Sequence, residues 1–158
     1  MELKHGFKKM LAEANGVIET ISVADAIQIH GEPGYCFVDI REGAERETGT
    51  ISGSVHVPCG FLEFQADPES PMHSPAFSSG DRLALFCASG GRSALATKTL
   101  VDMGFTDVYH VAGGMVGSGR ADRLINPEAS MSSGSGPRVC RCRRFQGRSV
   151  RRSCVCRA

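Results

Sequence analysis

The sequence predicts an α/β protein with a parallel central sheet flanked by helices. Short β-prone runs alternate with segments of helical spacing over residues 18–111. Two of those runs, Tyr35–Ile40 and Leu83–Phe86, are largely apolar, as strands covered on both faces must be. Both lead to a polar or reactive residue, Asp39 in one and Cys87 after the other. In parallel sheets the carboxyl ends of strands are where sites form.

The elements follow in order. Residues 2–15 predict a helix, broken at Asn15-Gly16, and Ile18–Ile21 a short strand. Ser22 is placed to N-cap a helix over Val23–His30, with Asp25 favouring its dipole. Glu32-Pro33-Gly34 is a turn before the strand Tyr35–Ile40, and Glu42–Glu47 predicts a short helix or turn. Val55–Val57 is a short strand closed by Pro58. Residues 60–80 read as a loop with one small helix near Phe61–Gln65. After the strand Leu83–Phe86 comes a helix whose Leu95, Ala96, Thr99, Leu100 and Met103 share one face, with Gly104 as its stop. Val108–Val111 is the last clear strand, and Ala121–Ile125 is read as a weak helical turn.

A chain of 158 residues fits one domain, and 41% hydrophobic content supports an ordinary core. No apolar run approaches the roughly 18 residues of a membrane span. The opening MELKHGFKKML is charged and is not read as a secretory signal. A free reactive cysteine fits a reducing, cytoplasmic setting. The near-neutral balance conceals two unlike parts. Residues 1–128 hold all 17 acidic residues and ten Lys or Arg, a net −7; residues 129–158 hold eight Arg and no acid. The expected organisation is an N-terminal helical extension (1–17), the α/β domain (18–126) and a Ser/Gly- then Arg/Cys-rich tail (127–158) expected to be disordered.

Residues 83–93, LALFCASGGRS, carry the chemistry. A strand ends on Cys87, a loop of small residues follows, and Arg92-Ser93 opens a helix. Amides of a tight loop and a helix N-terminus form an anion cradle, and a cysteine placed there is held as the reactive thiolate. Such a cysteine is otherwise a small buried hydrophobe, but packing does not require Gly-Gly-Arg-Ser after it.

CASGGRS resembles the active-site loop of rhodanese-like sulfurtransferases, and the opening KHGFKKMLAEA and the insert FLEFQADPESP are similar to small bacterial single-domain members. Val38-Asp39-Ile40-Arg41-Glu42, the segment Glu45–Pro58 and Val108–Gly114 resemble further motifs of that family in the same order, so the likeness spans about residues 20–116. It implies a rhodanese-like fold with a sheet of about five strands. It also implies transfer of a sulfane sulfur from thiosulfate or a persulfide to a thiol or cyanide, through a persulfide on Cys87. Ala88, Ser89, Gly90, Gly91, Arg92 and Ser93 then form the substrate cradle. Arg92 orients the donor or holds the loop, Ser93 caps the helix or donates to the thiolate with capping preferred, and Asp39 and Arg41 support the rim. No cofactor or metal is expected. The expected partners are small sulfur donors and acceptors, or a protein persulfide, with no membrane and with nucleic acid disfavoured. Where the family carries an aromatic four residues after its second glycine, this chain has Ser118.

Two rivals stand beside this reading. One is a persulfide carrier or redox-sensing module without turnover. The other is a phosphatase, whose related loop has five residues between Cys and Arg; here there are four, Ala88–Gly91. Cys36 is expected to be inert in its strand, and Cys59 could resolve a Cys87 persulfide. His56 and His110 are expected to be packed or edge side chains rather than ligands. In the tail, Cys140/Cys142 and Cys154/Cys156 offer thiolates, but at a spacing unlike the usual C-x2-C zinc pair.

Overall fold

In the computed structural model, residues 3–118 and 125–126 are described. Seven strands are found among them: β1 (Glu19–Ile21), β2 (Tyr35–Asp39), β3 (Thr50–Ile51), β4 (Val55–His56), β5 (Arg82–Phe86), β6 (Val108–Val111) and β7 (Ile125–Asn126). The helices are α1 (Phe7–Asn15), α2 (Val23–Ile29), α3 (Gly43–Arg46), α4 (Leu62–Ala66), α5 (Gly91–Asp102) and α6 (Gly114–Ser118), with 3-10 turns at Cys59–Phe61 and Pro75–Ser78. The Ser22 cap forms as the sequence predicts: its hydroxyl accepts the Asp25 N–H while the Asp25 carboxylate accepts from the Ser22 backbone.

Five strands make one parallel sheet in the order β1-β6-β5-β2-β4, flanked by helices. The alternation of side chains along β5 divides the core into two layers. Leu83, Leu85 and Cys87 join Val38, Leu62, Ala96 and Leu100 on one face; Ala84 and Phe86 join Phe37, Ala26 and Val111 on the other. From β2 the chain moves outward to β4, then crosses back to β5 and continues the opposite way to β6. The crevice between the ends of β2 and β5 is therefore the topological switch point, where connections diverge and leave room for a ligand. Asp39 and Cys87 both lie on that rim.

Two expectations are corrected and one strand is added. In α5 the buried stripe is Ser93, Ala94, Ala96, Thr97 and Leu100, while Met103 is 41% exposed. The helix has a second neighbour, α1, and a hollow of about 430 Å³ between the two is lined by Leu95, Thr99 and Met10 among others. Apolar spacing alone did not separate the face on the sheet from the face under α1. Thr50–Ile51 is a strand the sequence did not announce, paired antiparallel with Ile125–Asn126. Ile125 is thus extended rather than the end of a helical turn; residues 121–124 and the tail 127–158 lie outside the described residues. Among the described residues, no helix is long and apolar enough to cross a membrane.

Candidate active site

Cys87 ends the pairing of β5, and the chain then turns sharply into α5. The turn depends on Gly90, the residue before the helix, whose φ of 100° favours glycine. A Cβ there would stand 3.1 Å from the Gly113 nitrogen and 3.2 Å from His110 Cε1. The Gly90 N–H donates to Cys87 Sγ at 3.1 Å, and the Ser93 hydroxyl reaches the same sulfur at 3.5 Å. Cys87 is only 1% exposed. Burial pushes its thiol pKa up, but hydrogen bonds from the Ser93 hydroxyl and from the Ser93, Gly90 and Ser89 backbone outweigh it. The net effect holds the thiol below its ordinary value.

The second wall of the loop comes from the double glycine after β6. The Met115 and Val116 N–H groups donate to the Cys87 and Ala88 carbonyls, each at 2.9 Å. These bonds fix the carbonyls of the loop's first two residues. Gly114 makes this approach possible: a Cβ on it would sit 2.2 Å from the Cys87 oxygen. The Val108–Gly114 motif thus packs directly on the Cys87 loop.

Ser93 does not cap its helix, since α5 begins with no side-chain cap. Its buried hydroxyl faces inward, within hydrogen-bond reach of His110 Nδ1 at 3.0 Å, Gly90 O at 3.1 Å and Cys87 Sγ at 3.5 Å. The amide cradle and the inward turn of α5 put it there. Arg92 makes a bidentate pair with Glu45 of α3, at 2.6 and 2.7 Å, which draws Glu45 down to about 2. Of the two roles expected for Arg92, this geometry is that of holding the loop. Asp39 and Arg41 form a second bidentate pair, 2.7 and 2.9 Å, buried on the rim. The Arg41 backbone N–H and the Thr50 hydroxyl also donate to Asp39, while Arg41 reaches the Glu45 and Gly49 carbonyls. Burial alone would raise the Asp39 carboxyl; these donors outweigh it and lower it.

An open cleft of about 560 Å³ lies beside the loop, lined by Arg41, Ala44, Glu45, Thr48, Ala88, Met115 and Val116. Its lining is mostly apolar, and both arginines near it are already matched with carboxylates. Cys59 begins the 3-10 turn after β4, its N–H bonded to Ile40 O. Burial raises its thiol, as it does that of Cys36 in β2. His56 packs by a hydrogen bond to the Arg41 carbonyl. Sequence reasoning missed Glu45 and His110 as neighbours of the loop. Both lie in segments that resemble family motifs, Glu45–Pro58 and Val108–Gly114, and only the contact with the Cys87 loop is invisible in the sequence.

A cysteine under an amide cradle at the switch point of a parallel sheet defines a Cys-loop α/β domain. This chain belongs to the rhodanese-like family: residues 22–120 match its Rhodanese-like domain. Relatives include a tRNA uridine(34) hydroxylase from Mesorhizobium japonicum, 34% identical over 97 residues, which are 61% of this chain and 30% of that protein. The chain thus spans about a third of that relative's length. A chloroplastic thiosulfate sulfurtransferase from Arabidopsis thaliana is 32% identical over 108 residues, 66% of this chain and 89% of that one. A structure from Rhodopseudomonas palustris, described as of unknown function and a possible tyrosine phosphatase, superposes with a TM-score of 0.77. It is 43% identical and covers 80% of this chain and 98% of its own.

Proposed function

We propose that the protein is a sulfurtransferase that carries a sulfane sulfur on Cys87. The observation that carries this reading is the solvation of one buried sulfur by the Gly90 N–H at 3.1 Å and the Ser93 hydroxyl at 3.5 Å. Those donors stabilise the thiolate, and then the persulfide anion, in place of water. The thiolate attacks the outer sulfur of the donor. The donor's S–S bond breaks, and its thiolate, or sulfite in the case of thiosulfate, leaves with the electron pair. An acceptor thiolate or cyanide then attacks the outer sulfur of the Cys87 persulfide and releases Cys87 as thiolate.

Of the two donors, an organic or protein-borne persulfide suits the site better than thiosulfate. Arg92 and Arg41 are committed to Glu45 and Asp39, and the adjoining cleft is mostly apolar. A dianion arriving there would meet carboxylates as well as guanidinium groups. The phosphatase reading is disfavoured by the four-residue loop between Cys87 and Arg92, too tight for a phosphate cradle. The activity in the hydroxylase relative's name belongs to a protein of which this chain covers only 30%. A reducing, cytoplasmic setting is proposed with it, since the thiolate must stay free.

The test pairs sulfurtransfer to cyanide, from thiosulfate and from a small persulfide, with a phosphatase assay. Mass spectrometry after donor treatment should find one added sulfur on Cys87, and Cys87→Ser should remove turnover without unfolding the chain. Sulfur mainly on Cys36 or Cys59, or turnover by the serine variant, overturns the assignment. A persulfide that forms but is not passed on selects the carrier reading.

A further inference from the structure

His110 is a buried ionisable side chain to which the reading above gives no task. It lies on β6 between Leu85 of β5 and Thr20 of β1, neither of which ionises. The titratable group it faces, through Ser93, is Cys87. Its ring packs against the loop at Gly90, where a Cβ would meet Cε1 at 3.2 Å. Burial lowers its pKa, so the ring is neutral near neutral pH and its tautomer decides what it does.

The geometry makes that tautomer consequential. Ser93 has one hydroxyl hydrogen and three neighbours for it: His110 Nδ1 at 3.0 Å, Gly90 O at 3.1 Å and Cys87 Sγ at 3.5 Å. With Nδ1 bare, the imidazole takes the hydrogen and the sulfur loses it. With Nδ1 protonated, the ring donates to the Ser93 oxygen, and the hydroxyl hydrogen is free to turn elsewhere. A thiolate, as the charged acceptor, then draws it from the Gly90 carbonyl. We propose that His110, held as the Nδ1–H tautomer, is a positioning residue that aims the Ser93 hydroxyl at the Cys87 thiolate. The inference rests on the thiolate reading of Cys87 but not on the identity of the sulfur donor.

The experiment has two arms. Nitrogen-15 NMR of the histidines in the unsubstituted protein reports the His110 tautomer directly; the Nδ1–H form is expected, and the Nε2–H form overturns the proposal. In the second arm the pH dependence of iodoacetamide labelling is followed on the Cys87 peptide by mass spectrometry. Ser93→Ala and His110→Leu should each raise the midpoint by about one pH unit. The double variant should go no further than either single one, because both remove the same hydrogen bond. His110→Asn should restore the midpoint, since its amide N–H stands close to where Nδ1–H stood. An unmoved midpoint in His110→Leu, or additive shifts in the double variant, overturns the proposal; should that variant fail to fold, the NMR arm still decides. If this pattern holds in a protein without sulfurtransfer, the functional reading fails and the positioning role stands. If sulfurtransfer is present without the pattern, the reverse is true.

Discussion

Asp39→Asn should destabilise the domain by far more than its single-atom change suggests. The carboxylate is fully buried and accepts from Arg41 Nε and Nη2, the Arg41 backbone and Thr50 Oγ1, at 2.7–3.1 Å. An asparagine keeps one oxygen, but its NH2 group faces guanidinium donors, and the Arg41 charge is left buried without its counterion. Orphaning a buried charge costs about 3–5 kcal/mol. For a domain of this size that corresponds to a fall in melting temperature of roughly 10–20 °C. Urea unfolding measures the free energy directly. The pH dependence provides a second check. The Asp39 carboxyl is lowered in the folded state, so its contribution is complete above the ordinary value of 3.8 and is lost as pH falls through the folded value. The gap between parent and variant should therefore be constant near neutrality and close below about pH 4. Asp39→Asn/Arg41→Met should recover part of the loss by removing the orphaned charge. A single variant within about 1 kcal/mol of the parent would refute the reasoning, since only exposed pairs are that weak.

Gly114→Ala should cost about 3 kcal/mol or more and depress turnover, because its Cβ would collide with the Cys87 carbonyl, which is backbone and must move the loop; parent-like stability and activity would contradict the close approach. Glu45→Gln should cost no more than about 1 kcal/mol, the pair being partly exposed, yet raise kcat/KM for thiosulfate several-fold by releasing Arg92. An unchanged preference between thiosulfate and a persulfide would show that the carboxylate does not set donor choice. Removal of residues 129–158 should leave turnover and melting temperature intact, because their Ser/Gly- and Arg-rich sequence has no periodic apolar face; loss of either in the shortened chain would place a required element there.

The sequence by itself determined the class of fold and the local setting of Cys87. Strand and helix signals are local, and so is the juxtaposition of Cys87 with its small loop and a helix start, because all of it lies within a dozen residues. The parallel pairing of the strands, the Ser22 cap and the amide contact on Cys87 follow from that local pattern, while the strand number is what the family resemblance implies. What it left open involves residues far apart in the chain. Arg92 is 47 positions from Glu45, and Ser93 is 17 from His110. Whether Arg92 binds a donor or ties down the loop depends on where α3 lands, and whether Ser93 caps or faces sulfur depends on how α5 is rolled against β6. Periodicity likewise groups Leu95, Ala96, Thr99, Leu100 and Met103 on one face of α5, but the residues buried there are Ser93, Ala94, Ala96, Thr97 and Leu100, because α5 packs against α1 as well as the sheet. Only the packed sheet brings these partners within hydrogen-bond reach, because its switch point gathers the ends of β2 and β5, the start of α5 and the glycines after β6 onto one rim.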